Sequence, residues 1–377
     1  MTERKKLKAK DFVHLHNHTQ YSLLDGLTKV PELIDFVKKA KMEAIAITDH
    51  GTLSGLIELY KEAKSKDIKP ILGIETYIAS RRLSDKDINY DKENYHLILL
   101  AMDDTGYQNL MRLSSIANLD GYYYKPRIDR QTLEQYNKGL ICLSGCMGSE
   151  IGQALNQGLF KDAQEIAKWY KKVFNDRYYL EVQDHGHPNH PTSNKVQKNI
   201  NDQVFEIAKN LQIPVVVTAD AHYLRQQDQT AHEILLCIQT NSFFTDEKRL
   251  SLKDLELHVT EPNEIIKRWG NDHPDVVSNT KKIADLCNVN IPLGKILIPK
   301  FPVPQGSNEK DYLEALVYQG LAWRYAKVSR QKSISLTITQ AKKMLDQKYI
   351  DRAEYELSVI HQMGFSGYFL IVQDFIN

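Results

Sequence analysis

Residues 44–78, AIAITDHGTLSGLIELYKEAKSKDIKPILGIETYI, contain two short apolar runs on either side of an amphipathic stretch. The runs Ala44–Thr48 and Pro70–Ile78 are rich in Ile and Leu, which predicts buried β-strands. The intervening stretch Ser54–Lys66 has the apolar spacing of a helix. A strand, a helix and a second strand in this order predict a parallel βαβ unit.

The same alternation continues on both sides of this unit, up to about residue 220. The predicted strands are Phe12–Leu15, Ala44–Thr48, Pro70–Ile78, Leu97–Ala101, Gly139–Leu143, Tyr178–Val182 and Val215–Thr218. The predicted helices are Pro31–Lys41, Ser54–Lys66, Tyr107–Asn118, Lys161–Phe174 and Asn194–Leu211. About seven strands, with no G-x-G-x-x-G motif after the first, favour a barrel related to the (β/α)8 type. An open, doubly wound parallel sheet is the alternative.

The pattern changes after about residue 285. Residues 288–306 hold four of the twelve prolines, which predicts an extended linker. The segments that follow are a predicted helix at 309–328, a polar stretch at 329–350, a predicted helix at 351–363 and the apolar end GFSGYFLIVQDFIN. We therefore predict a first domain at residues 1–285 and a separate segment at 286–377.

The composition is typical of a soluble globular protein, with 42% hydrophobic residues, 26% charged residues and a net charge of +1. This charge is low for a protein that coats DNA, although it leaves room for a local basic patch. No apolar run approaches the roughly 20 residues that span a bilayer. The basic start MTERKKLKAK is not followed by an apolar signal-peptide core, so we expect a cytoplasmic protein. Among four cysteines only Cys142 and Cys146 lie close together, which predicts free thiols.

Three histidines, His14, His16 and His18, alternate in the stretch FVHLHNHTQYS. Alternate residues of a strand share one face, so the strand prediction places all three imidazoles on the same side. Two imidazoles at this spacing can bind one metal ion. A polar strand end without a ligand is the alternative interpretation.

Further candidate ligands follow the carboxyl ends of other predicted strands. They are Asp49 and His50 in TDHGT, Glu75 near the end of Pro70–Ile78, Cys146 after LICLSG, and Asp220 and His222 in VVVTADAH. Each has an ordinary explanation by itself, such as a helix-capping role for Asp49. In a barrel of this type, however, the carboxyl ends of the strands meet at one site. The mixture of nitrogen, sulfur and carboxylate ligands favours Zn²⁺, Mn²⁺ or Fe²⁺ over Ca²⁺, and the number of ligands favours two or three ions.

Three other features fit this arrangement less well. Asp25 lies in the loop after the first strand, where a turn role is the alternative. His96 opens the run YHLILLA, so either this strand is antiparallel or the polar loop 80–94 changes its approach. The histidine-rich loop HGHPNHP, residues 185–191, is typical of adventitious metal binding. We expect structural or surface roles for the remaining histidines, which are His232, His258, His273 and His361.

The series H-x-H, T-D-H-G, E, H, S-G-C and D-x-H resembles the polymerase and histidinol phosphatase (PHP) domain. Longer stretches are similar to the N-terminal part of the bacterial replicative DNA polymerase III alpha subunits, the C-family polymerases. These stretches are FVHLHNHTQYSLLDGL, AITDHGTLSG, KPILGIE, TGYQNL, GLICLSGCMG, DRYYLEVQ, KFPVPQG and YELSVIHQMGFSGYFLIVQDFIN. The resemblance covers nearly the whole chain, and its last segment is highly specific to those polymerases.

The resemblance implies a PHP-type distorted (β/α)7 barrel over residues 1–285, followed by the start of a polymerase palm region over 286–377. It leaves His14 out of the metal site and places the polymerase's nucleotide-transfer carboxylates beyond residue 377. The implied metal ligands are His16, His18, Asp25, His50, Glu75, His96, Cys146, Asp220 and His222. No ligand in this set is replaced in the sequence.

The implied activity is metal-dependent hydrolysis of a phosphodiester, such as 3′–5′ exonuclease removal of a terminal nucleotide. We expect two or three divalent ions, Zn²⁺ or Mn²⁺ with Mg²⁺ or Fe²⁺ as alternatives. Glu75 and Asp220 are the expected catalytic, bridging carboxylates, with a non-bridging role for either as the alternative. In YYYKPRID, Lys125 and Arg127 are expected to contact phosphate, with a solvated, aromatically packed loop as the alternative.

The expected partners are the 3′ end of a DNA primer and other replicase subunits, such as a sliding clamp or a separate exonuclease. We expect no association with a membrane. Two other functions stay open. In the first, the barrel is a metal-stabilised scaffold without catalysis that docks a separate exonuclease. In the second, it hydrolyses pyrophosphate or a small phosphate ester.

Overall fold

The computed structural model describes residues 6–185, 191–295 and 297–376. The chain divides into two compact units, Met1–Ile291 and Pro292–Asn377. Within the described residues, no helix combines the length and apolar character that a membrane span needs. All four cysteines are free thiols, as expected.

A curled sheet forms the wall of the first unit. In the described residues its strands are β1 Ala44–Ile47, β2 Lys69–Ala79, β3 Asn94–Ala101, β4 Arg127–Ile128, β5 Leu140–Leu143, β6 Tyr178–Gln183 and β7 Val215–Thr218. Their order is β1-β2-β3-β5-β6-β7, with the short β4 paired to β2. Most neighbours are parallel, but β3 is antiparallel to both β2 and β5. The predicted mixed α/β fold with a distorted barrel is confirmed.

Helices cover the outside of this sheet. Those of the first unit are α1 Val30–Lys39, α2 Leu56–Ser65, α3 Asp104–Leu119, α4 Arg130–Tyr136, α5 Glu150–Asn156, α6 Phe160–Phe174, α7 Pro191–Leu211, α8 Gln229–Thr240, α9 Pro262–Trp269 and α10 Pro274–Leu286. In α1, Pro31 occupies the first turn, where its missing N–H costs nothing. Leu33, Ile34 and Val37 form its buried stripe, at the spacing that places side chains on one helical face.

The N-terminal segment closes the barrel between its two edges. The N–H of Ala46 in β1 donates to the carbonyl of His14, while the N–H of His18 donates to the carbonyl of Ala221, just after β7. These contacts are too sparse for a regular ladder, so the strand predicted at Phe12–Leu15 is wrong in detail. Phe12–Leu15 are buried but form no regular strand, and the bridge in this segment joins Asn17 to Ala221.

The period-2 alternation of the strands separates an outer core from an inner one. In β1, Ile45 and Ile47 pack toward the helices, while Ala44 and Ala46 belong to the inner cluster. The interior of the barrel is apolar at one end only. On the same face of β2, Ile71 is followed by Gly73 and then by Glu75, which is fully buried. The barrel interior therefore changes from hydrocarbon to ionisable groups along its axis.

The second unit is helical in its described residues. Its helices are α11 Glu309–Tyr325, α12 Arg330–Ser333, α13 Ile338–Lys342, α14 Gln347–Gln362 and α15 Ser366–Ile376. Its core is small and includes Leu313, Tyr318 and Leu370. The two predicted helices at 309–328 and 351–363 are confirmed with shifted ends. The start of a polymerase palm and the boundary at residue 285 stay predictions.

Candidate metal centre

All nine predicted ligands lie at the polar end of the barrel, and most of their side chains contact one another. They come from the N-terminal segment and its loop, from the chain after β1, from β2, from the start of β3, and from the chain after β5 and β7. Because β3 is antiparallel, its N-terminal end lies at the same end of the barrel as the carboxyl ends of the parallel strands. This orientation brings His96 into the site and decides between the two alternatives that the sequence left open.

Glu75 is the central residue of the cluster and is fully buried. Its Oε2 atom lies 2.9 Å from His18 Nε2, 3.0 Å from His50 Nδ1 and 3.4 Å from His16 Nε2. Its Oε1 atom faces another group, at 2.9 Å from His96 Nδ1. Oε2 therefore faces three imidazoles and Oε1 faces a fourth, that of His96, so the two oxygens have different neighbours, as in a bridging ligand.

Asp220 approaches the cluster from the opposite side. Its Oδ1 atom lies 3.0 Å from His16 Nε2 and 3.2 Å from His18 Nε2. Its Oδ2 atom instead accepts a hydrogen bond from Gln183 Nε2 at 3.3 Å. Asp220 has a φ of 45°, a left-handed conformation that is uncommon for a residue with a side chain and is typical of functional sites. Only one of its oxygens faces the imidazoles, which supports a terminal role more directly than a bridging role.

A third carboxylate, Glu181 in β6, orients His16 from behind. Its Oε1 atom accepts from His16 Nδ1 at 2.7 Å and from the Thr218 hydroxyl, and its Oε2 atom accepts from Gly145 N at 3.1 Å. With its Nδ1 proton held there, the His16 ring turns Nε2 toward Glu75 and Asp220. Sequence analysis missed Glu181, although a carboxylate inside the buried run YYLEVQ was a usable signal.

Asp49 and Ser22 play the same part for His18. The Ser22 hydroxyl donates to Asp49 Oδ1 at 2.7 Å and accepts from His18 Nδ1 at 2.9 Å. The backbone N–H and the hydroxyl of Thr19 also donate to Asp49. The nearest helix, α2, has Gly55 as its N-cap, so the helix-capping interpretation of Asp49 is wrong. Asp49 instead fixes the loop that carries His18.

Asp25, His50 and His222 form the outer part of the cluster. Asp25 Oδ2 lies 3.1 Å from His50 Nε2, and Asp25 Oδ1 lies 3.8 Å from His222 Nε2. The Nδ1 atom of His222 donates to the carbonyl of Asp220 at 2.8 Å, which leaves Nε2 free to face the site. The rings of His18 and His222 stack with centroids 4.3 Å apart.

His96 and Cys146 form the other flank. The Cys146 sulfur lies 3.5 Å from His96 Nδ1 and 3.7 Å from Glu75 Oε1. Burial, followed by the Glu75 and Asp220 carboxylates, raises the pKa of the Cys146 thiol well above its usual value. A thiol in this environment stays protonated unless a cation replaces the proton.

The electrostatics of the cluster fit divalent cations. Burial opposes the charge of Glu75, but the imidazoles of His96, His50 and His16 hold its pKa well below its usual range. In turn, although burial opposes its protonation, the Asp220, Glu181 and Glu75 carboxylates hold the pKa of His16 well above its ordinary value. Glu75 Oε2 and Asp220 Oδ1 lie within 3.4 Å of imidazole nitrogens, but these contacts are not aligned as hydrogen bonds, so both oxygens and His50 Nδ1 are buried without a hydrogen-bond partner in the described residues. Unpaired acceptors of this kind call for a cation between them.

Three groups of side chains offer ligand atoms within 4.8 Å of one another, each suited to hold one ion. In the described residues these groups are His16, His18, Glu75 and Asp220; His50, Glu75 and His96; and His18, His50 and His222. His14 belongs to none of them. Its Nε2 atom contacts the carbonyl of Thr260 at 2.8 Å, because the irregular N-terminal segment does not keep strict alternation. The prediction that three histidines share a face is therefore wrong for His14.

A cavity of about 280 Å³ opens onto Asp25 and His50. Lys125 lines this cavity, with its Nζ atom 5.4 Å from the centre of the Tyr77 ring. Arg127 does not reach it. The Arg127 side chain is fully buried and donates to the carbonyls of Gly121, Asp91 and Asp85. Arg127 therefore has a structural role. The geometry does not support the predicted contact between Arg127 and phosphate.

The other predicted histidines lie outside the cluster or at its border. In the loop HGHPNHP, His185 is buried against the carbonyl of Ala219, and residues 186–190 lie outside the described part of the chain. His273 stacks on Phe205, and His361 contacts Ser366. His232, for which the sequence predicts a structural or surface role, is buried beside Asp25.

Known proteins resemble this chain in sequence over most of its length. Residues 14–185 match the family model of the PHP domain, and residues 311–377 match that of the bacterial DNA polymerase III alpha NTPase domain. The chain is 42% identical to the DNA polymerase III subunit alpha of Borreliella burgdorferi, over 97% of this chain and 30% of that protein. The corresponding protein of Thermus aquaticus is 38% identical, over 97% of this chain and 33% of its own length.

Among solved structures, an amidohydrolase from Chromobacterium violaceum is similar with a TM-score of 0.35 and 13% identity, over 56% of this chain and 87% of that chain. The chain spans about a third of the length of the curated relatives it matches.

Proposed function

Because the chain belongs to the family of bacterial DNA polymerase III alpha subunits, we propose that its barrel is a divalent-metal-dependent phosphoesterase that removes nucleotides from the 3′ end of DNA. The observation that carries the proposal is the position of Glu75. Its Oε2 atom faces three imidazoles and its Oε1 atom faces a fourth, that of His96, inside a buried site, as a carboxylate shared between ions would.

The ligands would be the nine residues named from the sequence, and the site would hold two or three ions. The groups around Glu75 combine imidazole nitrogen and carboxylate oxygen, with the Cys146 thiol at one edge. This donor set favours Zn²⁺ or Mn²⁺, with Fe²⁺ or Mg²⁺ as alternatives. Hard oxygen-only sites, which suit Ca²⁺, have a different composition.

Bound divalent ions would lower the pKa of a water molecule and neutralise charge on the phosphate. The chain's own residues supply the rest. Glu181, Ser22 and the carbonyl of Asp220 hold the rings of His16, His18 and His222 in fixed tautomers. Lys125, at the cavity beside Asp25 and His50, would bind a phosphate oxygen of the DNA backbone.

The test uses the 377-residue chain with Mn²⁺ or Zn²⁺ and a 5′-labelled single-stranded or mismatched primer. We expect stepwise shortening from the 3′ end by the wild type. Asp220→Asn keeps the shape of the side chain but removes its charge, and should lower the rate by roughly two orders of magnitude or more. Asp285→Asn, a matched change at a side chain that is 60% exposed, should act like the wild type.

No shortening by the wild type, with metal bound and the fold intact, would contradict an exonuclease activity of this chain. It would favour the metal-stabilised scaffold that docks a separate exonuclease. Release of phosphate from pyrophosphate or from a small phosphate ester, without shortening of DNA, would favour the third function instead. Binding of a sliding clamp or of other replicase subunits stays a prediction, as does a cytoplasmic location.

A further inference from the structure

His232 lies in helix α8, outside the nine predicted ligands, and it is only 1% exposed. Its ring centroid lies 5.6 Å from that of His222 and 5.2 Å from that of Tyr223. Apolar packing alone would suit a leucine at this position as well as an imidazole. The polar atoms of the ring therefore need an explanation.

The Nε2 atom of His232 faces the carboxylate of Asp25. It is buried, has no hydrogen-bond partner in the described residues, and lies 3.9 Å from Asp25 Oδ1. The other oxygen of the same carboxylate, Oδ2, lies 3.1 Å from His50 Nε2. Asp25 thus lies among three imidazoles, with His50 at Oδ2 and both His222 and His232 at Oδ1. A buried ring nitrogen without a partner is unfavourable, so a contact with Asp25 that closes by about 1 Å is favoured.

Asp25 also needs such support more than other members of the cluster. It lies in a loop, where its own N–H donates to the carbonyl of Ser22 at 3.0 Å, whereas Glu75 is carried by an eleven-residue strand. A carboxylate on a short turn has free side-chain torsions unless other residues fix it. His232 comes from a packed helix and reaches the oxygen that also faces His222 at 3.8 Å.

We propose that His232 is a positioning residue whose Nε2–H donates to Asp25 Oδ1 and holds this carboxylate toward His50 and His222. As a positioning residue, His232 would contact a ligand and not a metal ion, and the Gln variant described below separates these two roles. This role rests on the proposed function in one respect, because it matters for metal binding only if Asp25 is a ligand.

The experiment compares His232→Leu, which removes the donor, with His232→Gln, whose amide nitrogen can take the place of Nε2. Metal-free protein is titrated with Mn²⁺ or Zn²⁺ against a chromophoric chelator. We expect His232→Leu to weaken the binding of one metal equivalent by about 10–100-fold, and His232→Gln to restore most of the affinity. Ile234→Ala, at a half-exposed position of the same helix, is the control and should bind like the wild type.

Equal affinities for the wild type and for a folded His232→Leu variant would overturn the proposal, as would a Gln variant as weak as the Leu variant. The second result would make His232 a ligand. Nitrogen-15 NMR of the ring in metal-free protein gives an independent answer, since the proposal requires a protonated Nε2. A deprotonated Nε2 overturns it. Failure of the proposed function would appear separately, as a wild-type protein that binds metal without shortening DNA or that binds no metal, and in either case this ring measurement stays decisive.

Discussion

Glu181→Gln should weaken metal binding although Glu181 touches no metal in the proposed site. Its carboxylate accepts from His16 Nδ1, from the Thr218 hydroxyl and from Gly145 N, and it is 4% exposed. A glutamine has the same shape but presents one oxygen and one NH₂ group. If the oxygen stays with His16 and Thr218, the NH₂ group faces the N–H of Gly145, and two donors oppose each other.

The expected magnitude follows from these contacts. Loss of a carboxylate partner of a metal-binding histidine typically lowers metal affinity by 10–100-fold, which corresponds to about 1.4–2.8 kcal/mol. The unpaired N–H of buried Gly145 should cost about 1–3 kcal/mol of folding free energy in addition. Both effects are small enough to leave a folded protein, so that affinity and stability can be measured separately.

The assay is competition between metal-free protein and a chromophoric chelator for Mn²⁺ or Zn²⁺, with urea unfolding to report stability. The matched control is Glu165→Gln, because the Glu165 side chain is 69% exposed. Wild-type affinity in a folded Glu181→Gln variant would refute the reasoning that orientation of His16 controls the site. A variant that loses stability but keeps its affinity would refute it equally.

Three further predictions concern other parts of the site. Lys125→Ala should raise KM for a DNA substrate by roughly tenfold and leave the metal affinity unchanged, because it removes one charged phosphate contact. An unchanged KM in steady-state kinetics would contradict this prediction. Burial lowers the pKa of His14 to about 4, whereas in the unfolded chain this imidazole binds a proton below pH 6.5. The free energy of unfolding should therefore fall by about 3 kcal/mol as the pH falls from 6.5 to 4. His14→Gln, which keeps a donor for the carbonyl of Thr260, should lose less in urea unfolding at pH 4.5, and equal losses would contradict this account. Despite burial, Glu75 and Asp25 raise the pKa of His50 to about 10. Metal binding at pH 7.5 should therefore release at least about one proton. Calorimetry in buffers of different ionisation enthalpy measures this release, and a value of zero would contradict the prediction.

The sequence was most informative where strand periodicity and strand direction were both regular. His50, Glu75 and Asp220 could be predicted to converge because each follows or ends an apolar run, and the carboxyl ends of parallel strands meet at one end of a barrel. His96 could not be placed in this way. An apolar run looks the same in either direction, and only pairing with β2 and β5 shows that this strand is antiparallel.

The partners of the ligands were beyond sequence analysis for a different reason. Glu181 contacts a histidine 165 positions away, and Ser22 joins Asp49 across 27 positions. No local pattern encodes such distances. Arg127 illustrates the opposite error, since a basic residue beside tyrosines resembles a phosphate contact until its guanidinium is seen to hold three backbone carbonyls.

The charges of the site explain why these long-range partners matter. Glu75, Asp220 and Glu181 are buried, and three carboxylates cannot remain in such a place without positive charge near them. In the protein alone that charge comes from protons, which is why the pKa of His16 is raised well above its usual value, with burial opposing and Asp220 leading the favourable interactions. A divalent cation would supply the same charge with fewer groups, and would take the place of protons on Nε2 while Glu181 keeps the proton on Nδ1. The carboxylate behind the ring would therefore determine that Nε2, and not Nδ1, is the nitrogen offered to the ion.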